Sequence, residues 1–203
     1  QVEPFLEMIE KVWLDTYTAE VGQQTLRSYI PKQLLLVGSA SYNDDGSTTE
    51  GTAEGGRQIV LYSVNDFNFE LEQIQSYAHV MHHEFAHILH QNVEYDAEFE
   101  KITPSYSSSW MQMNDETARS KGFITAYASS SADEDFAEMV AIMLTNSPED
   151  WDNMIESAGN AAAVEALRKK EAIVVAYMKN NWGVNMKDFQ KEVVAAIKAA
   201  VRN

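Results

Sequence analysis

The first third of the chain contains one stretch with helical spacing of apolar residues and two short continuous apolar runs. Residues 5–22 repeat apolar side chains every three or four positions, which predicts a helix that ends near Gly22. A short apolar run at 34–37 predicts a buried strand, and another at 58–64 predicts a second strand. The stretch 43–56 between them is rich in Gly, Asp, Ser and Thr and is predicted to be a loop.

The rest of the chain has the hydrophobic spacing of helices. A long helix is predicted over 70–92, where no Gly or Pro interrupts the pattern. Further helices are predicted at 115–121, 132–144, 149–157, 161–180 and 187–201. A few N-terminal strands followed by a long helical remainder are typical of an α+β fold, mostly helical with a small N-terminal sheet. Because no linker or repeat divides the chain, a single domain over residues 1–203 is expected.

One polar stretch is similar to part of a calcium-binding loop. It is the tetrapeptide Asn43-Asp44-Asp45-Gly46. It lacks the alternating acidic spacing and the glutamate at the twelfth position that complete such a loop. We therefore predict a turn here rather than a cation site.

The composition excludes several functions. The 31 acidic residues outnumber the 15 Lys and Arg residues and give a formal charge of −16, whereas binding to nucleic acid or anionic lipid needs a basic surface. The chain has no cysteine, which excludes disulfides, thiolate metal ligands and cysteine nucleophiles. No apolar run reaches the ~18–20 residues that a membrane-spanning helix needs.

The candidate chemistry is concentrated on the helix predicted at 70–92. Residues 83–87 read His-Glu-Phe-Ala-His, an H-E-x-x-H match. Side chains four apart on a helix lie one above the other, so His83 and His87 can both reach one Zn²⁺. Glu84 projects ~100° round the helix from His83. It therefore lies near the metal without binding it, where it can take a proton from water and deliver it to a leaving group.

The other histidines of this helix leave alternatives open. His79 and His83 also have the spacing of a metal pair, but Val80 follows His79, so that pair has no base. His90 continues the stripe one turn beyond His87, and we favour a supporting position beside the site over a ligand role. His82 points away from the stripe and is expected to be structural. The simplest alternative is a helix with solvated histidines.

A catalytic zinc site has three protein ligands and one open position. Without cysteine, the third ligand must be His, Asp or Glu. Acidic residues cluster at 133–138 in a second predicted helix, where Glu134 and Glu138 are four apart and share a face. One of these carboxylates can bind the metal while the other holds a ligand histidine in its tautomer. Alternatively, the acids at 133–135 only complement the helix dipole.

Taken together, these residues resemble the gluzincin class of zinc metallopeptidases. The site is similar to that of the anthrax lethal factor catalytic domain, in which a Glu-x-Phe-Ala-Glu segment supplies a zinc ligand and a tyrosine precedes it by seven residues. Here the segment is Glu134-Asp135-Phe136-Ala137-Glu138, and the tyrosine is Tyr127. The resemblance implies a zincin-like fold with His83, His87 and Glu134 as metal ligands and Glu84 as base. It implies oxyanion stabilisation by Tyr127, and Glu138 as a residue that supports the ligands.

The chain also resembles a group of gut Bacteroidetes lipoproteins classed as zinc metallohydrolases and linked to outer-membrane nutrient import. The likeness is carried by residues 82–91 and by the acidic helix, and it is strongest over 70–145. It implies an exported protein, periplasmic or at the cell surface, held to the membrane through an N-terminal lipid anchor. The start at Gln1 rather than Met favours a processed chain whose signal has been removed.

We therefore expect a zinc-dependent metallopeptidase that hydrolyses peptide bonds with metal-activated water. The expected partner is a peptide or protein substrate, with no nucleic acid. The alternative is a non-catalytic, metal-containing binding module of an outer-membrane nutrient-import complex. Glu84 and Tyr127 favour the enzyme, because a module that only binds needs neither a base nor an oxyanion donor.

Overall fold

The computed structural model describes residues 2–43, 48–54 and 58–202. The chain forms two compact units, one made of residues 1–92 and 192–203 and the other of residues 93–191. The expectation of a single domain stays a prediction. The turn predicted at Asn43-Asp44-Asp45-Gly46 lies outside the described residues from position 44 onward.

The first unit begins with the helix predicted at 5–22. It consists of α1 (Val2–Ile9), a π-helical segment (Glu10–Leu14) and α2 (Asp15–Val21), and Gly22 ends it at a φ of 78°. A short helix, α3 (Gln23–Tyr29), follows and was missed by the sequence pattern. Phe5 is fully buried and meets the ring of Tyr77 edge to face at 4.9 Å, which packs α1 against the long helix of the same unit.

The strands of the first unit form two small sheets. They are β1 (Gln33–Leu36), β2 (Ser41–Tyr42), β3 (Thr48–Thr49), β4 (Gly51–Glu54) and β5 (Gln58–Leu61). In the larger sheet β5 lies in the centre, parallel to β1 and antiparallel to β4, while β2 and β3 form an antiparallel pair. Both predicted strands are present, but β1 is not buried as expected, because Leu35 is 49% exposed and Leu34 and Leu36 are only half-buried. The loop predicted over 43–56 is wrong in part, because β4 pairs through its backbone and needs no apolar side-chain pattern.

Helix α4 (Leu71–Asn92) confirms the long helix predicted at 70–92 and packs against the edge strand β4. The closest approach is at Gly51, where a β-carbon would collide with Cγ1 of Val80. Glycine is therefore the residue that lets this strand lie directly on the helix that carries the histidines.

The second unit is entirely helical within the described residues. It contains α5 (Glu98–Ile102), α6 (Asp115–Ser120), α7 (Ala132–Thr145), α8 (Pro148–Glu156) and α9 (Ala161–Trp182), and α10 (Met186–Ala200) continues from it into the first unit. Four helices begin at a side-chain cap that accepts a backbone N–H three residues later. These caps are Asn114, Ser131, Ser147 and Asn160.

With 67% helix and a small sheet, the chain has the predicted α+β fold. The helices predicted at 115–121, 132–144, 149–157, 161–180 and 187–201 are all present within a few residues of those bounds. Among the described residues, no helix is both long enough and apolar enough to cross a lipid bilayer.

Replacing Gly51 with Ala should push β4 away from α4. We expect the free energy of unfolding to fall by about 1–3 kcal/mol, the usual cost of overpacking, measured by urea denaturation followed by circular dichroism. The matched control is Gly51→Ala combined with Val80→Ala, which removes the colliding methyl groups. The double variant should lose less than the sum of the two single losses. Simple additivity would show that this contact does not set the distance between strand and helix.

Candidate metal centre

Two histidines of α4 present their ring nitrogens to the same point. The Nε2 atoms of His83 and His87 are 3.0 Å apart, and their ring planes are inclined by 78°. A tetrahedral zinc ion with Zn–N bonds of 2.0–2.1 Å separates two such nitrogens by about 3.3 Å. The pair therefore fits a shared zinc ion after a small side-chain adjustment, as the H-E-x-x-H spacing predicted.

His90 contacts the opposite nitrogen of His87. The Nδ1 atom of His87 lies 2.9 Å from Nε2 of His90, and His90 is only 7% exposed. An imidazole binds a metal through the nitrogen that carries no proton. If His87 binds through Nε2, its Nδ1 keeps the proton and donates it to His90, which fixes the tautomer of His87. This geometry favours the supporting position for His90.

The remaining side chains of this stretch have distinct surroundings. Glu84 is buried on the turn between the two candidate ligands. His79 is half-buried, with its ring centre 5.8 Å from that of His83. His82 is fully buried against Tyr17, and burial lowers the pKa of His82 to about 3, with a smaller contribution from His79. His82 is therefore a neutral core residue, in agreement with the expected structural role.

The three acids at the start of α7 lie in three different environments. Ser131 caps the helix, accepting the N–H of Glu134 at 3.3 Å. Asp133 is exposed and accepts the hydroxyl of Tyr95 at 2.7 Å. Glu134 is half-buried, and Asp135 is fully buried. The helix dipole alone does not account for the full burial of Asp135, whereas the role of Glu134 stays a prediction.

Asp135 belongs to a buried ion pair that the sequence analysis missed. The Nζ atom of Lys170 lies 2.5 Å from Oδ2 of Asp135 and donates to the carbonyl of Gly122 at 2.8 Å, and both charged side chains are 0% exposed. Tyr106 donates its hydroxyl to the same carboxylate oxygen at 3.1 Å. The ammonium group also lies 4.3 Å from the centre of the Phe123 ring.

Burial opposes the charge on both partners. It raises the pKa of Asp135 to about 6 even though Lys170 and Tyr106 lower it, and it lowers the pKa of Lys170. The signal in the sequence was the position of Lys170 on α9. It occupies the same buried row as Leu167 and Val174, three and four residues away, where a lysine needs a partner.

The fourth acid of interest, Glu138, lies one turn further along α7. Glu138 is 2% exposed and accepts the hydroxyl of Thr125 at 2.7 Å. Tyr127 lies in the same loop on a short 3₁₀ helix (Tyr127–Ser129). Its ring is 37% exposed and meets Trp110 edge to face at 4.9 Å. No pattern in the sequence pointed to Thr125.

Comparisons with known proteins place the chain in a family. A family model described as "putative zinc-binding metallo-peptidase" matches residues 1–187. The chain belongs to this family. A crystal structure described as a "putative zinc-binding metallo-peptidase" from Bacteroides caccae is similar to it, with a TM-score of 0.83 and 34% identity over 97% of this chain and 76% of that one. A comparison with curated proteins found no match.

Membership of the family bears on two expectations from the sequence, the fold class and the metal cofactor. The α+β fold matches that of the Bacteroides caccae protein. Zinc as the cofactor is confirmed, since the family is described as zinc-binding and α4 supplies a histidine pair suited to a metal. The individual ligand and catalytic roles stay predictions, as do the peptide partner and the extracytoplasmic, lipid-anchored location.

Replacing Lys170 with Met should strongly destabilise the protein. The variant leaves Asp135 buried without its cation, which typically costs about 3–5 kcal/mol, measured as the free energy of unfolding in urea. The matched control is Lys169→Met at the neighbouring position, where the ammonium group is exposed and pairs with Glu165. This control should leave the stability almost unchanged. Equal effects of the two substitutions would contradict the importance of the buried pair.

Proposed function

We propose that this protein is a zinc-dependent peptidase that hydrolyses peptide bonds. The observation that carries the proposal is the single buried turn of α4 that holds Glu84 between two imidazoles whose Nε2 atoms are 3.0 Å apart. Two neutral nitrogen ligands next to a carboxylate base form the working part of a hydrolytic zinc site. Membership of a family described as zinc-binding metallo-peptidases supports the peptide bond as the target.

The proposed zinc ligands are His83, His87 and Glu134. Nδ1 of His87 is placed to donate a hydrogen bond to His90, which would leave Nε2 for the metal. Glu134 offers a half-buried carboxylate in the first turn of α7. Glu138 is proposed as a support, because one of its oxygens already accepts a hydrogen bond from Thr125. Held by two imidazoles and one carboxylate, zinc would keep a net positive charge and would supply Lewis acidity toward water and the substrate carbonyl.

Glu84 acts as general base and then as general acid. It accepts a proton from the attacking water, and it returns that proton to the amine as the peptide C–N bond breaks. Its burial keeps bulk water from competing for the carboxylate. Its position on the same helix as His83 and His87 holds it at a constant distance from the proposed ligands.

Tyr127 is proposed to stabilise the oxyanion. Its phenol donates a hydrogen bond to the carbonyl oxygen as negative charge develops on that atom. The ring is 37% exposed, so a substrate can reach it, and one edge is held by Trp110. The resemblance to gluzincins supports this role through the seven-residue spacing between Tyr127 and Glu134.

Replacing Glu84 with Gln should abolish peptide hydrolysis while zinc stays bound. The amide keeps the size of the side chain but cannot accept the proton, so we expect a fall in kcat of at least about 100-fold. Cleavage is measured with a peptide library, and zinc content by atomic absorption. His83→Ala is the companion variant and should lose both zinc and activity.

Two results would contradict the proposal. Full activity of Glu84→Gln would exclude Glu84 as the base. A wild-type protein that binds zinc and peptides but cleaves none, with or without a chelator, would support the non-catalytic binding module instead.

The two carboxylates of α7 can be separated by matched amide substitutions. Glu134→Gln removes a proposed ligand and should weaken zinc binding by well over 100-fold, whereas Glu138→Gln removes a support and should weaken it by about 10–100-fold. Affinity is measured by competition with a chromophoric chelator, which requires no activity. The reverse order would make Glu138 the ligand.

A further inference from the structure

Thr125 links Glu138, the proposed support of the metal ligands, to the turn that carries Tyr127. Its hydroxyl donates to Oε2 of Glu138 at 2.7 Å, and its oxygen accepts the backbone N–H of Ala128 at 3.1 Å. A threonine hydroxyl has one proton to donate and lone pairs to accept with. Both contacts can therefore form together, and the charge on Glu138 strengthens the pair.

The rest of the turn is held by neighbouring groups on both sides. Asp115 accepts the N–H of Ala126 at 2.8 Å, and the carbonyl of Ser129 accepts the N–H of Ser107 at 2.8 Å. The N–H of Ala128, the residue directly after Tyr127, is bound by the Thr125 side chain. The hydrogen bond from Ala128 thus links the backbone at Tyr127 to α7.

The ring of Tyr127 is positioned by a second contact. Trp110 meets it edge to face, with ring centres 4.9 Å apart and planes inclined by 69°. Trp110 restrains the ring from one side, whereas Thr125 restrains the backbone from which the ring projects. A phenol that must donate to a developing oxyanion gains most when its direction is set before the reaction.

We propose that Thr125 is a positioning residue for Tyr127, which it aligns by linking the N–H of Ala128 to the carboxylate of Glu138. The inference rests on the proposed function for its catalytic consequence, but the hydrogen bonds themselves can be tested without any activity. Thr125 touches neither substrate nor metal in this proposal. Its effect on the reaction passes entirely through the phenol of Tyr127.

The test compares Thr125→Val with Thr125→Ser in the full chain. Valine keeps the shape of the side chain but removes the hydroxyl, whereas serine keeps the hydroxyl. In Thr125→Val we expect amide hydrogen exchange at Ala128, followed by NMR, to be at least about tenfold faster. The ring resonances of Tyr127, which are shifted by the Trp110 ring, should also move. Thr125→Ser should resemble the wild type in both respects.

The catalytic arm uses the same variants. Thr125→Val should lower kcat by about tenfold with little change in KM, because a transition-state contact is misaligned. Thr125→Ser should restore kcat. In a Tyr127→Phe background, Thr125→Val should have almost no further effect on kcat, since the group through which it acts is gone. Melting temperatures measured alongside separate this effect from a loss of folding.

Two results would contradict the positioning role of Thr125. Unchanged exchange at Ala128 in Thr125→Val, or an equal loss of kcat with and without the Tyr127 hydroxyl, would overturn the inference. If the wild-type protein cleaves no peptide, the proposed function fails. The exchange rate and the Tyr127 resonances still show whether Thr125 sets the turn.

Discussion

The site depends on one geometric constraint, the placement of two imidazoles one helical turn apart. On α4 the side chains of His83 and His87 are held by the backbone spacing itself, so their Nε2 atoms converge to 3.0 Å without help from a loop. The distance between the two Nε2 atoms stays constant only if the helix is rigid. The edge strand β4 provides that support by lying against α4 at Gly51, and Tyr17 of α2 adds to it by packing against the buried His82 of α4.

A second constraint is the handling of charge on α7. Several of the 31 acidic residues of the chain lie on this one helix, and the structure gives each a different neighbour. Asp133 accepts from Tyr95, Asp135 forms the buried pair with Lys170, and Glu138 accepts from Thr125. Hydrogen bonds and an ion pair thus hold three of the four carboxylates of this helix in place.

The buried Lys170–Asp135 pair fixes the first turn of α7 but adds little net stability to the protein. Two charges without solvent contact gain little net stability over an apolar pair of the same volume. The pair instead ties the first turn of α7 to the carbonyl of Gly122, which precedes the loop that carries Thr125 and Tyr127. The same loop is then closed by the Thr125 hydroxyl. Loop and helix are therefore connected at both ends of the segment that presents the phenol.

Local sequence was sufficient for the long helices and for the side-chain pairs that depend on their spacing, although it missed the short helices α3 and α5. Side chains three or four apart on a helix are neighbours whatever surrounds them. Residues close together in the chain therefore predicted the H-E-x-x-H pair, the long helix around it, the acidic helix at 132–144 and the α+β class. The strand β4 was missed because its pairing with β5 uses backbone groups and leaves no side-chain pattern. Lys170 lies 35 residues from its partner Asp135, and Thr125 lies 13 residues from its partner Glu138. These pairs could not be predicted from local sequence, because they form only when α9 and the 122–131 loop pack against α7.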